Sequence, residues 1–184
     1  MHLQDKRVLI TGGSSGIGLA TAHQLVAKGA RVCITGRRQE PLDRAVEALR
    51  AIGGDVFGVV ADVGTHEGRG TTLVGAAAFG GLDILVNNAG GVRAGRLEDT
   101  TEAEIRAMVE VDLLAPILLT RMAMPLLRAS GDGVIVNVAS GIALIGMPFY
   151  ATYAAAKAGL ARFGESLRRE FSGEGVHVMT VYPG

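Results

Sequence analysis

The 184-residue sequence predicts an α/β protein built on a doubly wound parallel sheet with helices on both faces. Three observations carry that prediction. Short, continuous apolar runs recur along the chain, and helical patterns of a dozen residues or more separate them. The first run also stops abruptly in glycines, Val8-Leu9-Ile10-Thr11-Gly12-Gly13-Ser14-Ser15-Gly16-Ile17-Gly18, just before a helical pattern begins. Continuous apolar strands are buried on both sides, and strands alternating with such helices need crossover connections, which make the sheet parallel.

The elements follow in order. Val8 to Ile10 is the first strand; Ile17, Ala20, Thr21, Leu25 and Val26 then recur at helical spacing, with Gly29 as a C-terminal stop. Arg31 to Thr35 is a buried strand. Leu42, Ala45, Val46 and Leu49 mark a second helix from Gln39 to Ile52, ended by Gly53-Gly54, and Val56 to Ala61 returns as a strand. The segment from His66 to Phe79 crosses back as a helix, but Gly68, Gly70 and Gly75 each cost about 1 kcal/mol against alanine, so a weak or irregular one is expected. Asp83 to Asn87 is the fourth strand. Thr101 and Glu104 form a capping box opening a long helix to about Arg128, with a kink expected at Pro116. Gly133 to Ala139, a helix from Thr152 to about Phe171, and Val176 to Val181 complete the series, which reads as a single domain over 1–184.

Composition narrows the class. With 48% hydrophobic and 20% charged residues the chain is that of an ordinary globular protein, and its length is enough to bury roughly 70% of the unfolded surface without staples. Eighteen basic and eighteen acidic residues leave no net charge, so the footprint of a nucleic-acid binder is missing. Cys33 is the only cysteine, which rules out an intrachain disulfide and fits a reducing compartment. No apolar stretch reaches the roughly 18 residues of a membrane span and the polar N-terminus does not read as a signal peptide, so a cytoplasmic protein is expected, with no membrane partner and no metal.

In such sheets ligands bind beyond the carboxyl ends of the strands, so the residues just after each strand carry the functional expectation. The glycine-rich turn leaves backbone N–H groups at the positive end of a helix dipole, and without side chains at Gly12, Gly16 and Gly18 a phosphate is expected to approach closely. The same residues match the G-x-S-x-G elbow of serine hydrolases. Ser14 as a nucleophile is a minor alternative, because only one strand precedes it and none of His23, His66 and His177 has the context of a base. After the second strand, where an NAD-binding sheet places an acid on the ribose, stand Gly36-Arg37-Arg38. A guanidinium there, chiefly that of Arg37, suits a 2′-phosphate, so NADP(H) is expected over NAD(H). Asp62 is placed to accept from an adenine amino group, and Asn88-Ala89-Gly90 offer amides and open backbone to the cofactor ribose or to neighbouring strands.

Tyr153 and Lys157 lie four apart on one helix, so phenol and ammonium share a face. A nearby cation favours the phenolate, which would suit Tyr153 to general acid–base work on a carbonyl/alcohol pair. Ser140, at the end of the fifth strand, is the second hydroxyl for the substrate oxygen.

Together these residues resemble the short-chain dehydrogenase/reductase family over essentially the whole chain: Thr11-Gly12-x-x-x-Gly16-x-Gly18, Asp62, Asn87-Asn88-Ala89-Gly90, Ser140, Tyr153-x-x-x-Lys157 and Pro183-Gly184, in order. The resemblance implies a Rossmann-like fold and an NADP(H)-dependent oxidoreductase acting on a small carbonyl or alcohol, assembled as a homo-oligomer. It implies that Ser140 polarises the carbonyl, Tyr153 transfers the proton, and Lys157 lowers the tyrosine pKa while binding the nicotinamide ribose. The expected cofactor contacts are Gly12, Ser14, Ser15, Gly16, Ile17, Gly18, Arg37, Arg38, Asp62, Val63, Asn88, Ala89, Gly90, Tyr153, Lys157, Pro183 and Gly184. Two departures stand out. The family's asparagine in the long helix is Asp112 here, which only accepts hydrogen bonds when ionised and is expected to hold the relay water. The family's last strand and C-terminal helix beyond Pro-Gly have no counterpart, so the chain reads as truncated, which leaves a cofactor-binding protein without turnover as the alternative function.

Overall fold

The computed structural model describes residues 2–184. Six parallel strands, β1 (Arg7–Ile10), β2 (Arg31–Gly36), β3 (Val56–Val60), β4 (Ile84–Asn87), β5 (Gly133–Val138) and β6 (Val176–Val181), form one sheet in the order β3-β2-β1-β4-β5-β6. The order reverses between β1 and β4, whose neighbouring ends create the crevice expected at a switch point. Register is continuous across it: Ile10 lies beside Val86, Asn87 beside Asn137, and Asn137 beside Thr180.

The alternation of side chains along each strand divides the core into two layers. Val8, Ile10, Val32 and Ile34 pack with Ala22, Val26, Leu42 and Leu49 from α1 (Gly16–Val26) and α2 (Gln39–Ala51). On the other face, Leu9, Cys33, Leu85 and Ile135 pack with residues of α3 (His66–Ala77), α5 (Ala115–Ala129) and α6 (Ala151–Glu170). Both faces are therefore covered, although the first cover stops short of β5 and β6, where Val134, Val136 and Val181 are only half-buried.

Two expectations about helices are corrected. α3 is a regular helix of 12 residues, started by Thr65, whose hydroxyl accepts from Gly68 N–H at 2.9 Å. Its glycines are there for close approach. A Cβ on Gly68 would overlap the Asp62 carbonyl oxygen, and one on Gly75 would overlap Val59, so the packing outweighs the propensity loss. The long helix is not one regular helix. α4 (Glu102–Val109), with both bonds of the Thr101–Glu104 capping box in place, runs into a π-helical turn, Glu110–Leu114, before α5. The cause is still Pro116, at the first turn of α5: it has no N–H for the Asp112 carbonyl four residues back, and its ring crowds that carbonyl. The Ala115 N–H instead bonds to the Glu110 carbonyl five residues back, which opens the turn.

Candidate active site

The glycine-rich turn joins β1 to α1 and is pinned to the turn after β4. Asn88 Nδ2 donates to the carbonyls of Thr11 (2.9 Å) and Gly12 (3.1 Å), while the Thr11 hydroxyl accepts from the N–H groups of Asn88 and Ala89, both at 3.0 Å. This assigns the glycines different tasks. A Cβ on Gly18 would come within 2.5 Å of Asn88 Nδ2 and of the Gly12 oxygen, and one on Gly12 within 2.9 Å of Ala89 Cα. A side chain at either position would therefore collide with the turn after β4 or with the turn itself, while Gly12 also lines the cleft. Gly16, with φ of +54°, has open space where its Cβ would be. Ser15, at the α1 N-cap in extended conformation, makes no capping bond with its hydroxyl, so it leaves the first amides of α1 to another acceptor.

Around this turn lies a cleft of about 560 Å³, lined by Gly12, Ser14, Ser15 and Ile17, by Gly36, Arg37 and Arg38, by Asp62 and Val63, and by the stretch Asn88 to Arg93. Its size and its small, backbone-rich floor fit a dinucleotide. Arg37 and Arg38 are exposed at the end of β2, and no carboxylate lies between them and Gly36. Asp62 uses one oxygen to accept from Gly64 N–H at 2.9 Å in an Asx turn. Ser14 has no base beside it. No histidine lines the cleft, and His177 pairs with Asp132 at the opposite end of the sheet, which removes the hydrolase reading.

Asp112, Met108 and Val111 line the far wall. Ser140, Tyr153 and Lys157 lie beyond it, reached through Asp112. The Asp112 carboxylate is fully buried, 3.1 Å from Lys157 Nζ, and both its oxygens accept from Gly91 N–H at 3.3 Å. Lys157 Nζ also donates to the Val138 carbonyl at 3.1 Å and stands 5.7 Å from the centre of the Tyr153 ring. The Ser140 hydroxyl accepts from Ile142 N–H, and the following Gly141 N–H donates to the Pro183 carbonyl at 2.8 Å, which brings Pro183 beside the serine while Gly184 is exposed.

The electrostatics reverse one expectation. Burial pushes the Tyr153 phenol upward, the Ser140 hydroxyl opposes this, and the Asp112 charge pushes it further up. The Lys157 ammonium over the Tyr153 ring is paired with Asp112 and the Val138 carbonyl, so the carboxylate opposes its attraction for a phenolate. Asp112 is itself raised, chiefly by burial, against the attraction of Lys157.

Some contributors carried no signal in the sequence. Buried Arg69, on α3, donates to the Val63 carbonyl at 2.8 Å and pairs with Glu110 at 3.1 Å, tying the loop after β3 to the π-helical turn. In sequence it is one charge on a glycine-rich helix. Thr11 had a visible signal, a hydroxyl just ahead of the turn, but its clamp on Asn88 and Ala89 depends on the β1–β4 pairing.

Known proteins share this sequence pattern and fold. The family model described as short chain dehydrogenase matches residues 6–184. The chain is 37% identical over its whole length to an uncharacterized oxidoreductase of Thermotoga maritima and 36% identical over 99% of its length to the ketoacyl reductase HetN of a Nostoc species, covering 73% and 64% of those proteins. A crystal structure of a short-chain dehydrogenase/reductase of unknown function from Caenorhabditis elegans, solved with cofactor, superposes with a TM-score of 0.92 at 34% identity, over all of this chain and 71% of that one. The chain belongs to the short-chain dehydrogenase family. It is an oxidoreductase of that type, a class that works with nicotinamide cofactors on small molecules.

Proposed function

We propose that the chain is an NADP(H)-preferring oxidoreductase for a carbonyl/secondary alcohol pair, with Tyr153 as the general acid and base. The observation that carries this reading is the meeting of Tyr153 and Lys157, through Asp112, with a cleft whose other end presents Gly36-Arg37-Arg38, with no acid directly after β2. When bound, the cofactor supplies or accepts hydride at its nicotinamide ring.

The rest belongs to the chain. Amides of the turn from Gly12 to Ile17 hold the pyrophosphate, with Gly16 leaving the space, and Arg37, supported by Arg38, pairs with the 2′-phosphate. Asp62 and Val63 flank the adenine, while Asn88 acts indirectly by fixing the turn, beside Ala89 and Gly90. Ser140 holds the substrate oxygen, and Tyr153 gives that oxygen its phenolic proton in reduction and takes it back in oxidation. Lys157 steadies the ribose side, and the loop with Pro183 and Gly184 closes on Ser140. On the same resemblance the protein is a cytoplasmic homo-oligomer; no described helix is long and apolar enough to cross a membrane.

The test is a titration of NADPH and NADH followed by nicotinamide fluorescence, since the chain has no tryptophan to relay excitation, and then NADPH oxidation with a panel of carbonyls. Tighter NADPH binding and carbonyl-dependent oxidation are expected. Tighter NADH binding overturns the role of Arg37. Binding without oxidation favours a cofactor-binding protein without turnover.

A further inference from the structure

Asp112 and Lys157 form a buried pair at the junction of three elements. The π-helical turn supplies the carboxylate, α6 the ammonium, and the loop after β4 the Gly91 N–H that bonds to both carboxylate oxygens. Gly90 is what lets them close: a Cβ there would stand 2.4 Å from Asp112 Oδ1 and 3.2 Å from Lys157 Nζ. With the Val138 carbonyl as its second acceptor, the ammonium is held over the Tyr153 ring, 5.7 Å from its centre, while its nearest charged partner is the Asp112 carboxylate at 3.1 Å.

We infer that Asp112 is a positioning residue that sets the proton affinity of Tyr153, taking up the charge of Lys157 so that the phenol stays in its neutral, proton-donating form. This rests on the reading of Tyr153 as the proton-transfer group. Lys157 on α6, Asp112 in the turn and Ser140 after β5 are the groups that face the phenol. Of the carboxylates on the turn and the cleft wall, Glu110 pairs with Arg69, and Glu104 with Arg93. Burial and the Asp112 charge both act on Tyr153 in the direction required. A phenol that keeps its proton is ready to deliver it to a carbonyl oxygen, whereas alcohol oxidation, which needs the phenolate, is displaced to higher pH. The arrangement thus favours reduction near neutral pH.

The test is an ultraviolet difference titration of tyrosine ionisation. Subtracting the Tyr153→Phe protein isolates Tyr153 from Tyr150 and Tyr182, and the same pair of measurements is repeated with Asp112→Asn, which keeps the size and an acceptor oxygen for Gly91 and Lys157. In the unsubstituted chain Tyr153 is expected to titrate above the ordinary tyrosine value of about 10. In Asp112→Asn it is expected at least about one pH unit lower, a tenfold rise in phenolate at fixed pH. An unchanged or higher value in the folded variant overturns the inference. So does a Tyr153 that titrates below the ordinary value in the unsubstituted chain, a result that needs no variant at position 112. Neither measurement requires cofactor or turnover. The expected titration with no carbonyl reduction would therefore strike the proposed function alone, and reduction with an unmoved phenol would strike this inference alone.

Discussion

The two ends of the cleft are built from different materials. At the glycine-rich turn the work is done by backbone: missing Cβ atoms, free amides and one amide side chain pinning two carbonyls. At the other end it is done by charged side chains taken out of water, Asp112 with no exposure and Lys157 with 4%. Backbone chemistry is insensitive to pH and intolerant of added atoms. Buried charge tolerates small changes of shape and depends on protonation.

The largest expected effect tests whether the two ends are separable. Tyr153→Phe is expected to lower kcat by about 10²–10⁴-fold with NADPH affinity retained, as steady-state kinetics and fluorescence titration would show; loss of binding as well would break the distinction. Next, Arg37→Ala is expected to weaken NADPH binding by roughly ten- to hundredfold and leave NADH nearly unaffected, since one charged hydrogen bond contributes about 1.5–3 kcal/mol. A comparable loss for both cofactors would place Arg37 outside the recognition. Gly18→Ala, whose Cβ meets backbone and Asn88 at 2.5 Å, is expected to cost about 1–3 kcal/mol of stability in chemical denaturation. Gly16→Ala should cost no more than about 1–2 kcal/mol, through its positive φ alone, while weakening cofactor binding. Weakened cofactor binding in the folded Gly18→Ala protein with none in Gly16→Ala would mean that the two glycines do not divide packing from approach.

The smallest effect lies away from the cleft. Burial would raise the Asp83 carboxyl, but hydrogen bonds from the Arg7 side chain and backbone, at 2.7–3.0 Å, outweigh it and hold the carboxyl below its ordinary range. A depressed acid contributes stability that is present above its unfolded value of about 3.9 and is lost as pH falls through the lower folded value. Denaturation of Asp83→Asn between pH 7 and 3 should lack that part of the acid loss. This pair also shows that a buried ion pair can be purely architectural, which makes the titration of Tyr153 the decisive measurement at Asp112.

The strands and their alternation with helices were legible because both depend on local apolar pattern, and the parallel arrangement followed from the crossover connections, whereas the order of the strands came only with the structure. The site residues were legible where chemistry is tied to spacing, as in Tyr153 and Lys157 on one helical face. Other features were not. The glycines of α3 looked like weakness, because their reason lies in Asp62 and Val59, outside the helix. Gly12 and Gly18 looked alike with Gly16, because spacing does not say which one faces open space. The charge balance around Tyr153 stayed hidden for a further reason: whether Lys157 attends the phenol or Asp112 depends on distances across a turn that propensity does not describe.

That turn also fixes how this helix can change length. A regular helix advances about 100° per residue, so four residues turn it through about 400°; a turn closed by a bond five residues back spreads nearly that rotation over five residues. The turn is thus the place where the helix carries one residue more than an ordinary helix needs. Removing one of the five and restoring the ordinary helix would leave Leu119, Ala123 and Leu127 on the sheet and Met108 in its buried place, while disturbing the Asp112 pairing. A deletion scan scored for folding should therefore find single-residue deletions better tolerated between positions 110 and 114 than elsewhere in α4 and α5.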